Sequence, residues 1–219
     1  MAMIHLEPQT LEMFSRALDG LKPPPNLSLS QWADKYRKLS AEASASQGQW
    51  NTDAAPFQRE IMDAIGDVHV RKVVAMMCAQ AGKTEGLILN TIGFYMSYHP
   101  ASIMVMQPTV NLGESFSKDR LTPMLRDTPA LRGLVNTKSR YSGNTISKKN
   151  FPGGMLVIVG ANAPTDLRSR PIKVLLADEV DAYKASAGKE GDPVMLAEER
   201  QTTFWDYKTV MVSTPTTKA

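Results

Sequence analysis

Cysteine is almost missing from this chain. A single one, Cys78, stands among 219 residues, which excludes an internal disulfide and suits a reducing compartment. Histidine is nearly as scarce. His5, His69 and His99 are isolated from one another, so a zinc site built on Cys and His has no basis here. No run approaches the roughly 18 consecutive apolar residues that a membrane-spanning helix needs. The first ten residues also lack the basic-then-apolar pattern of a secretory signal. A strong charge of one sign is absent too, because 25 basic and 22 acidic residues leave a formal net charge of +3. What remains is an ordinary globular composition, 42% hydrophobic and 21% charged. The length allows one large domain, or one domain with a small appendage.

The distribution of charge says more than its sum. Between Lys118 and Lys173 eleven basic residues face only three acidic ones, Asp119, Asp127 and Asp166. The section that follows, residues 174–199, is mostly acidic. A basic middle beside a compact acidic cluster points to polyanion contact in one region and metal or general-base chemistry in the other. For any single lysine, a solvated surface position is the better explanation of the charge.

The stretch with the most chemistry is Ala79-Gln80-Ala81-Gly82-Lys83-Thr84-Glu85. An apolar run, residues 73–78, precedes it and a helix-like stretch over 86–98 follows. Strand, tight loop, helix is the order a phosphate-binding loop requires. The first N–H groups of a helix lack intrahelical partners, and the helix dipole adds partial positive charge there, so a triphosphate can take them up. Gly82 removes the Cβ that would block close approach. Lys83 would reach the β- and γ-phosphates, and the Thr84 hydroxyl would bind Mg²⁺. One departure from G-x-x-x-x-G-K-[ST] falls at the first glycine, where Met77 stands. The loop alone therefore does not separate a phosphate cradle from a solvated turn, and its context has to decide.

Downstream context is informative. Ile172-Lys173-Val174-Leu175-Leu176-Ala177 is followed by Asp178-Glu179-Val180-Asp181. Four successive apolar residues indicate a strand covered on both faces. Carboxylates at its C-terminal end lie where open α/β sheets bind ligands, and burying them is costly unless a cation takes up the charge. Asp178 is expected to hold Mg²⁺ through water beside Thr84. Glu179 is expected to orient and deprotonate the attacking water. Asp181 would close the site or pair with a base. A further strand over 208–216 ends in Ser213-Thr214-Pro215, whose hydroxyls can donate to a γ-phosphate oxygen; a strand ending in a Pro turn is the plainer alternative.

The remaining chain reads as follows. An amphipathic helix lies within residues 1–20, with Leu6, Leu11, Phe14 and Leu18 as its apolar face. Lys22-Pro23-Pro24-Pro25-Asn26 forms a stiff connector. A second helix starts at Ser28 or Ser30, runs to about Lys38, and leads into a polar loop over 40–49. Residues 1–49 thus form a helical arm and linker, and residues 50–219 the main domain. Phe57 and Gln58 open a helix over 59–65; an aromatic can pack on a base and a glutamine amide can pair with an adenine edge, while a solvent-exposed Gln58 at a helix start fits equally. Residues 101–107 read as a buried strand ended by Pro108-Thr109, followed by a helix over 110–125. Residues 145–149 and 155–159 flank a Pro-Gly-Gly turn and predict a hairpin. Ser186 to Asp192 reads as mobile, and 193–201 as a helix.

Taken together, Phe57-Gln58, Gln80-Ala81-Gly82-Lys83-Thr84-Glu85, Pro108-Thr109, Leu175-Leu176-Ala177-Asp178-Glu179 and Ser213-Thr214-Pro215 resemble, in that order, the ATPase half of large terminase subunits from lambda-like tailed bacteriophages. The resemblance covers most of residues 50–218. It implies an α/β P-loop NTPase of the additional-strand, catalytic-glutamate type, with a central mostly parallel sheet flanked by helices. It implies Mg²⁺-dependent hydrolysis of ATP, with Lys83, Thr84, Asp178 and Glu179 in the roles given above, the loop Gln80 to Glu85 on the nucleotide, and Ser213-Thr214-Pro215 as the coupling motif. The implied partners are double-stranded DNA, further copies of the chain in a ring, a small terminase subunit and the portal of a procapsid, in the host cytoplasm and without a membrane. A C-terminal nuclease domain is expected beyond this chain. Many terminases carry a loop arginine where this chain has Ala79, which directs attention to Arg168, or Arg170, as the missing cation in cis or as a finger donated to a neighbour. The alternatives are the first motor domain of a DNA or RNA helicase, which a second motor domain would follow, and a nucleotide-binding scaffold without turnover, against which Glu179 counts.

Overall fold

The computed structural model describes residues 10, 13–14, 26–42, 47–136, 143–163, 170–188 and 191–215. Of the helix expected within residues 1–20 only Thr10, Met13 and Phe14 are described, all three helical; the three prolines of the connector and Arg168 lie outside the described residues.

The first helix with a described range is α1 (Leu29–Tyr36). Ser28 caps it: its hydroxyl accepts from the Gln31 N–H while the Gln31 side chain accepts from the Ser28 N–H. Such a reciprocal box satisfies two orphan donors and is worth about 1 kcal/mol. A two-residue antiparallel pair, β1 (Lys38–Leu39) with β2 (Gly48–Gln49), closes the stretch read from sequence as a polar loop. Next come α2 (Phe57–Gly66) and β3 (Lys72–Met76). A π-helical turn, Thr84–Leu89, runs without interruption into α3 (Asn90–Ser97). The second β–α unit is β4 (Ile103–Gln107) followed by α4 (Val110–Phe116), a π-helical turn Ser117–Leu121, and α5 (Thr122–Asp127). The expected hairpin is present as β5 (Lys148–Phe151) and β6 (Gly154–Gly160). The chain then supplies β7 (Val174–Asp178), α6 (Pro193–Glu198) and β8 (Lys208–Ser213).

Six strands form one sheet in the order β3-β8-β7-β4-β6-β5, parallel throughout except for β5. The functional consequence is the place of β8. It is last in sequence yet lies between the loop strand β3 and the carboxylate strand β7, so its C-terminal hydroxyls are delivered between the loop and the acids. This is the additional-strand arrangement, and the mostly parallel α/β architecture expected from sequence is the one present. Strands β4 and β7 are buried at every residue, which accounts for their uninterrupted apolar sequence.

Helices cover both faces. On one, α1, α2, the π-helical turn and α3 pack Trp32, Met62, Ile65, Ile88 and Phe94 against Val105, Leu176 and Val210. On the other, Leu196 and Ala197 of α6 pack against Met104, Leu175 and Ala177. The outer strand β3 keeps Val74 and Met76 exposed. Helix α1 is built into the first core rather than laid on it. Its Trp32 is 1% exposed, packs edge-on against Phe94, and occupies space that only a glycine at position 93 leaves free: a Cβ there would stand 2.3 Å from the indole. Burying a side chain of this kind contributes about 1.5–3 kcal/mol. Among the described residues no helix is long and apolar enough to cross a membrane.

Candidate functional site

The C-terminal ends of β3, β8 and β7 meet the start of the loop helix at one edge of the sheet. The loop turns sharply there. Gln80 and Gly82 have φ of 59° and 74°, left-handed conformations that Gly82 adopts freely and Gln80 only at a cost. Lys83 follows as the residue preceding the π-helical turn and is largely buried. π-Helical turns recur where a helix end serves a site. Within this turn the backbone is closely approached. Gly86 lies against the Gln58 amide, and a Cβ there would be 1.9 Å from Oε1.

Lys83 is the centre of the arrangement. Its ammonium lies 2.9 Å from Glu179 Oε1 and donates to Thr214 Oγ1. Glu179 extends from β7 with φ 55° and ψ 48°, a left-handed geometry that is strained for a non-glycine residue and clusters at functional sites. That turn aims its carboxylate across the end of β8 toward the loop. Asp181 anchors the turn, its N–H donating to Ser213 Oγ at 3.0 Å. The Ser213 carbonyl accepts from the Met77 N–H at 3.0 Å. The two hydroxyls read from sequence as one pair therefore divide their work. Ser213 fastens the acidic turn and the loop entrance to β8, and Thr214 faces Lys83.

Asp178 lies one residue deeper and is 4% exposed. Its Oδ2 accepts from Gln107 Nε2 at 3.1 Å, while its Oδ1 is buried without a partner. Burial holds this carboxyl above the usual carboxylate range; the Gln107 bond and the Lys83 charge pull the other way, and Glu179 adds to the rise. A buried, half-satisfied carboxylate beside the loop is chemically suited to a divalent cation, which would take up both the charge and the spare oxygen. Among the described residues no group of three or more His, Cys, Asp or Glu side chains converges, so the cation for which these donors fit is one that draws further ligands from phosphate and water, as Mg²⁺ does. The sign of the pH dependence follows. A carboxyl raised in the folded state contributes stability below its unfolded value, and that contribution is lost as pH climbs through the folded value. Asp178→Asn is therefore expected to raise the melting midpoint of the nucleotide-free domain at neutral pH, by about 2–4 °C for each kcal/mol gained. Thermal melts without Mg²⁺ or nucleotide check it, and a lowered midpoint would show that the carboxylate is well accommodated as it stands.

Other residues singled out in the sequence take positions that only the fold reveals. Gln58 is buried, and its Nε2 donates to the Ala81 carbonyl at 2.6 Å, so in this arrangement the amide supports the loop. Phe57 is exposed and lines, with Trp50, Asn51, Gln58 and the loop, a groove of about 630 Å³. Glu85 is held by arginines: Arg37 Nη2 lies 2.6 Å from Oε2 and Arg120 Nη1 3.5 Å from Oε1. Arg170 lies beside Met155, with its Nη1 3.2 Å from the Sδ. That is the N-terminal end of β6, whereas the C-terminal end of β6 accompanies Gln107, so Arg170 stands at the opposite end of the sheet from the acids of its own subunit. Sequence reasoning passed over Gln107 and Arg37. For Gln107 a signal existed: a polar residue ending the buried run 103–107, as Asp178 ends its own.

A loop between strand and helix, an acidic pair on a neighbouring buried strand, and a hydroxyl-tipped strand inserted between them define a P-loop nucleotide-binding domain of the additional-strand type. Its family is narrower. Residues 44–219 match the model of the phage terminase large subunit gpA, ATPase domain, and the chain belongs to that family. It is 30% identical over 198 residues to the terminase large subunit of Enterobacteria phage P21, covering 89% of this chain and 30% of that protein. With the terminase large subunit of Escherichia phage lambda the identity is 29% over 209 residues, covering 94% and 32%. The chain thus spans about a third of the length of these curated relatives. The fold is shared with the HK97 bacteriophage large terminase (TM-score 0.65, 15% identity, 84% of this chain and 36% of that one). It is shared also with the large terminase ATPase domain of Thermus phage P74-26 (TM-score 0.52, 18% identity, 74% and 65%).

Proposed function

We propose that this domain hydrolyses ATP and that, in the complete protein, hydrolysis drives double-stranded DNA into a procapsid. The observation that carries the catalytic part is the bridging of Glu179 and Thr214 by the Lys83 ammonium. The loop and the ends of two strands, β7 and β8, contribute to that one contact, and each partner has a role that changes when a triphosphate arrives. The phosphate oxygens compete for the Lys83 donors. Once Lys83 turns to them, Glu179 loses its ion pair and becomes free to accept a proton from the attacking water. The Thr214 hydroxyl, no longer an acceptor for Lys83, can donate to a phosphate oxygen. After phosphate leaves, Lys83 returns to Glu179 and Thr214, so the state of the γ-phosphate is registered at the end of β8. Thr84 and Asp178 are the residues that would hold Mg²⁺, which supplies neutralisation of phosphate charge when bound.

The groove between Trp50, Asn51, Phe57 and the loop is of a size to take the nucleoside, with its open apolar wall suited to a base. Assembly as a ring with further copies, a small terminase subunit, a portal and the host cytoplasm as setting all belong to this same reading; relatives named as terminase large subunits support it. An arginine supplied in the same subunit or donated by a neighbour completes it, with Arg168 as the favoured residue.

Phosphate release by the purified domain, supplied with ATP and Mg²⁺ and with either duplex or single-stranded DNA, tests the proposal. Release stimulated by duplex is expected. Stimulation by single strands alone would favour a helicase motor, and no release under any of these conditions would overturn the reading.

A further inference from the structure

The N-terminal segment reaches the loop through one buried ion pair that the catalytic cycle described above does not use. Arg37 caps the C-terminal end of α1 and its side chain is only 2% exposed. It donates through Nη1 to its neighbour's carbonyl, that of Lys38, and through Nη2 to Glu85 Oε2 at 2.6 Å. Its Nε is buried without a partner. Burial lowers its pKa and the Glu85 charge raises it again. On the other side, burial raises the Glu85 carboxyl, and Arg37 first, then Arg120, draw it back. Such a pair is poor value as a stability device, because desolvating both charges offsets most of their attraction. Its position suggests a different use.

Glu85 follows Thr84 directly, inside the π-helical turn, and lines the same groove as Gln80, Ala81 and Gly82. A carboxylate there repels any anion the loop receives, and at short range in a partly buried site that repulsion is not screened away. Arg120 is half-exposed and stands at 3.5 Å, so its compensation is screened by solvent. Arg37 is nearer and buried. We infer that Arg37 is a positioning residue for the nucleotide site: it masks the charge of Glu85 and holds that side chain away from the phosphates, which makes α1 part of the ATP site although it touches no nucleotide. The inference rests on the ATP-binding reading above.

Equilibrium binding of a fluorescent ATP analogue, with Mg²⁺, to the whole chain provides the test. Arg37→Ala is expected to weaken binding about tenfold, the effect of one unmasked charge near an anion at an intermediate effective dielectric. Adding Glu85→Gln to Arg37→Ala is expected to recover most of that loss, because the charge itself is then gone. A purely structural role predicts the reverse: the double variant binds no better than Arg37→Ala. Should Arg37→Ala fail to fold, Arg37→Met retains the apolar stem without the charge and is expected to show the same loss and the same rescue, whereas Arg37→Lys keeps a cation and is expected to lose less. A folded Arg37→Ala or Arg37→Met that binds as well as the parent overturns the inference. A parent chain that does not bind the analogue at all overturns the ATP-binding reading instead, so the two failures are distinguishable.

Discussion

Glu179→Gln is expected to leave ATP bound and to stop its hydrolysis. Glutamine has the shape of glutamate and can still accept and donate hydrogen bonds, but it cannot take the proton of the attacking water. General-base contributions of this kind are about 10²–10⁴-fold, so turnover should fall by that factor. Binding should move the other way. In the nucleotide-free domain Glu179 holds Lys83 at 2.9 Å and competes with phosphate for its donors. The variant removes the competing charge, so ATP should bind at least as tightly as to the parent. Single-turnover phosphate release and equilibrium nucleotide binding, measured on the same preparation, separate the two effects. Normal turnover in this variant would mean that another residue is the base. Weakened binding with turnover lost in proportion would mean that Glu179 positions the nucleotide rather than activates water.

The contrast between what could and could not be read from the sequence has a physical pattern. The acids of β7 and the hydroxyls of β8 were visible because each ends a buried apolar run, and in a parallel sheet those ends gather at one edge. The insertion of β8 between β3 and β7 was expected only through the resemblance to additional-strand ATPases, since a strand ending in Ser-Thr-Pro carries no sign of its neighbours. Features that depend on side chains finding one another were not visible. Arg37 and Glu85 are separated by 48 positions, and nothing in either local sequence announces the pair. Gln58 was read as pairing with a base or lying exposed at a helix start; it is buried, its amide donates to the Ala81 carbonyl, and the missing side chain of Gly86 leaves the amide that place. The two-residue pairing of β1 with β2 is too short to carry a periodic signal. Helix α1 was legible as a helix, with Ser28 or Ser30 as its cap, but its membership of the main core rests on Trp32 fitting over Gly93, a contact between residues 61 positions apart in the chain.

Lys83→Ala is expected to have the larger effect on nucleotide affinity. Among the described residues the ammonium is the cation placed against both Glu179 and Thr214, and Ala79 supplies none from the loop. Removing it deletes charge-assisted hydrogen bonds to the phosphates, each worth about 1.5–3 kcal/mol, or roughly 10–100-fold in affinity. It also leaves Glu179 without its partner, facing an anionic ligand, which adds repulsion to the lost attraction. Turnover should fall further than binding, since the charge on the transferring phosphoryl group grows toward the transition state and Lys83 acts on it there. The repulsive part can be isolated. In the double variant Lys83→Ala with Glu179→Gln the unpaired carboxylate is gone, so ATP affinity should recover in part while hydrolysis stays absent. A double variant that binds no better than Lys83→Ala would show that the two side chains act independently on the nucleotide. Lys83→Ala with unchanged ATP binding would remove the loop from the site altogether, and with it the assignment of Glu179 and Thr214 as its partners.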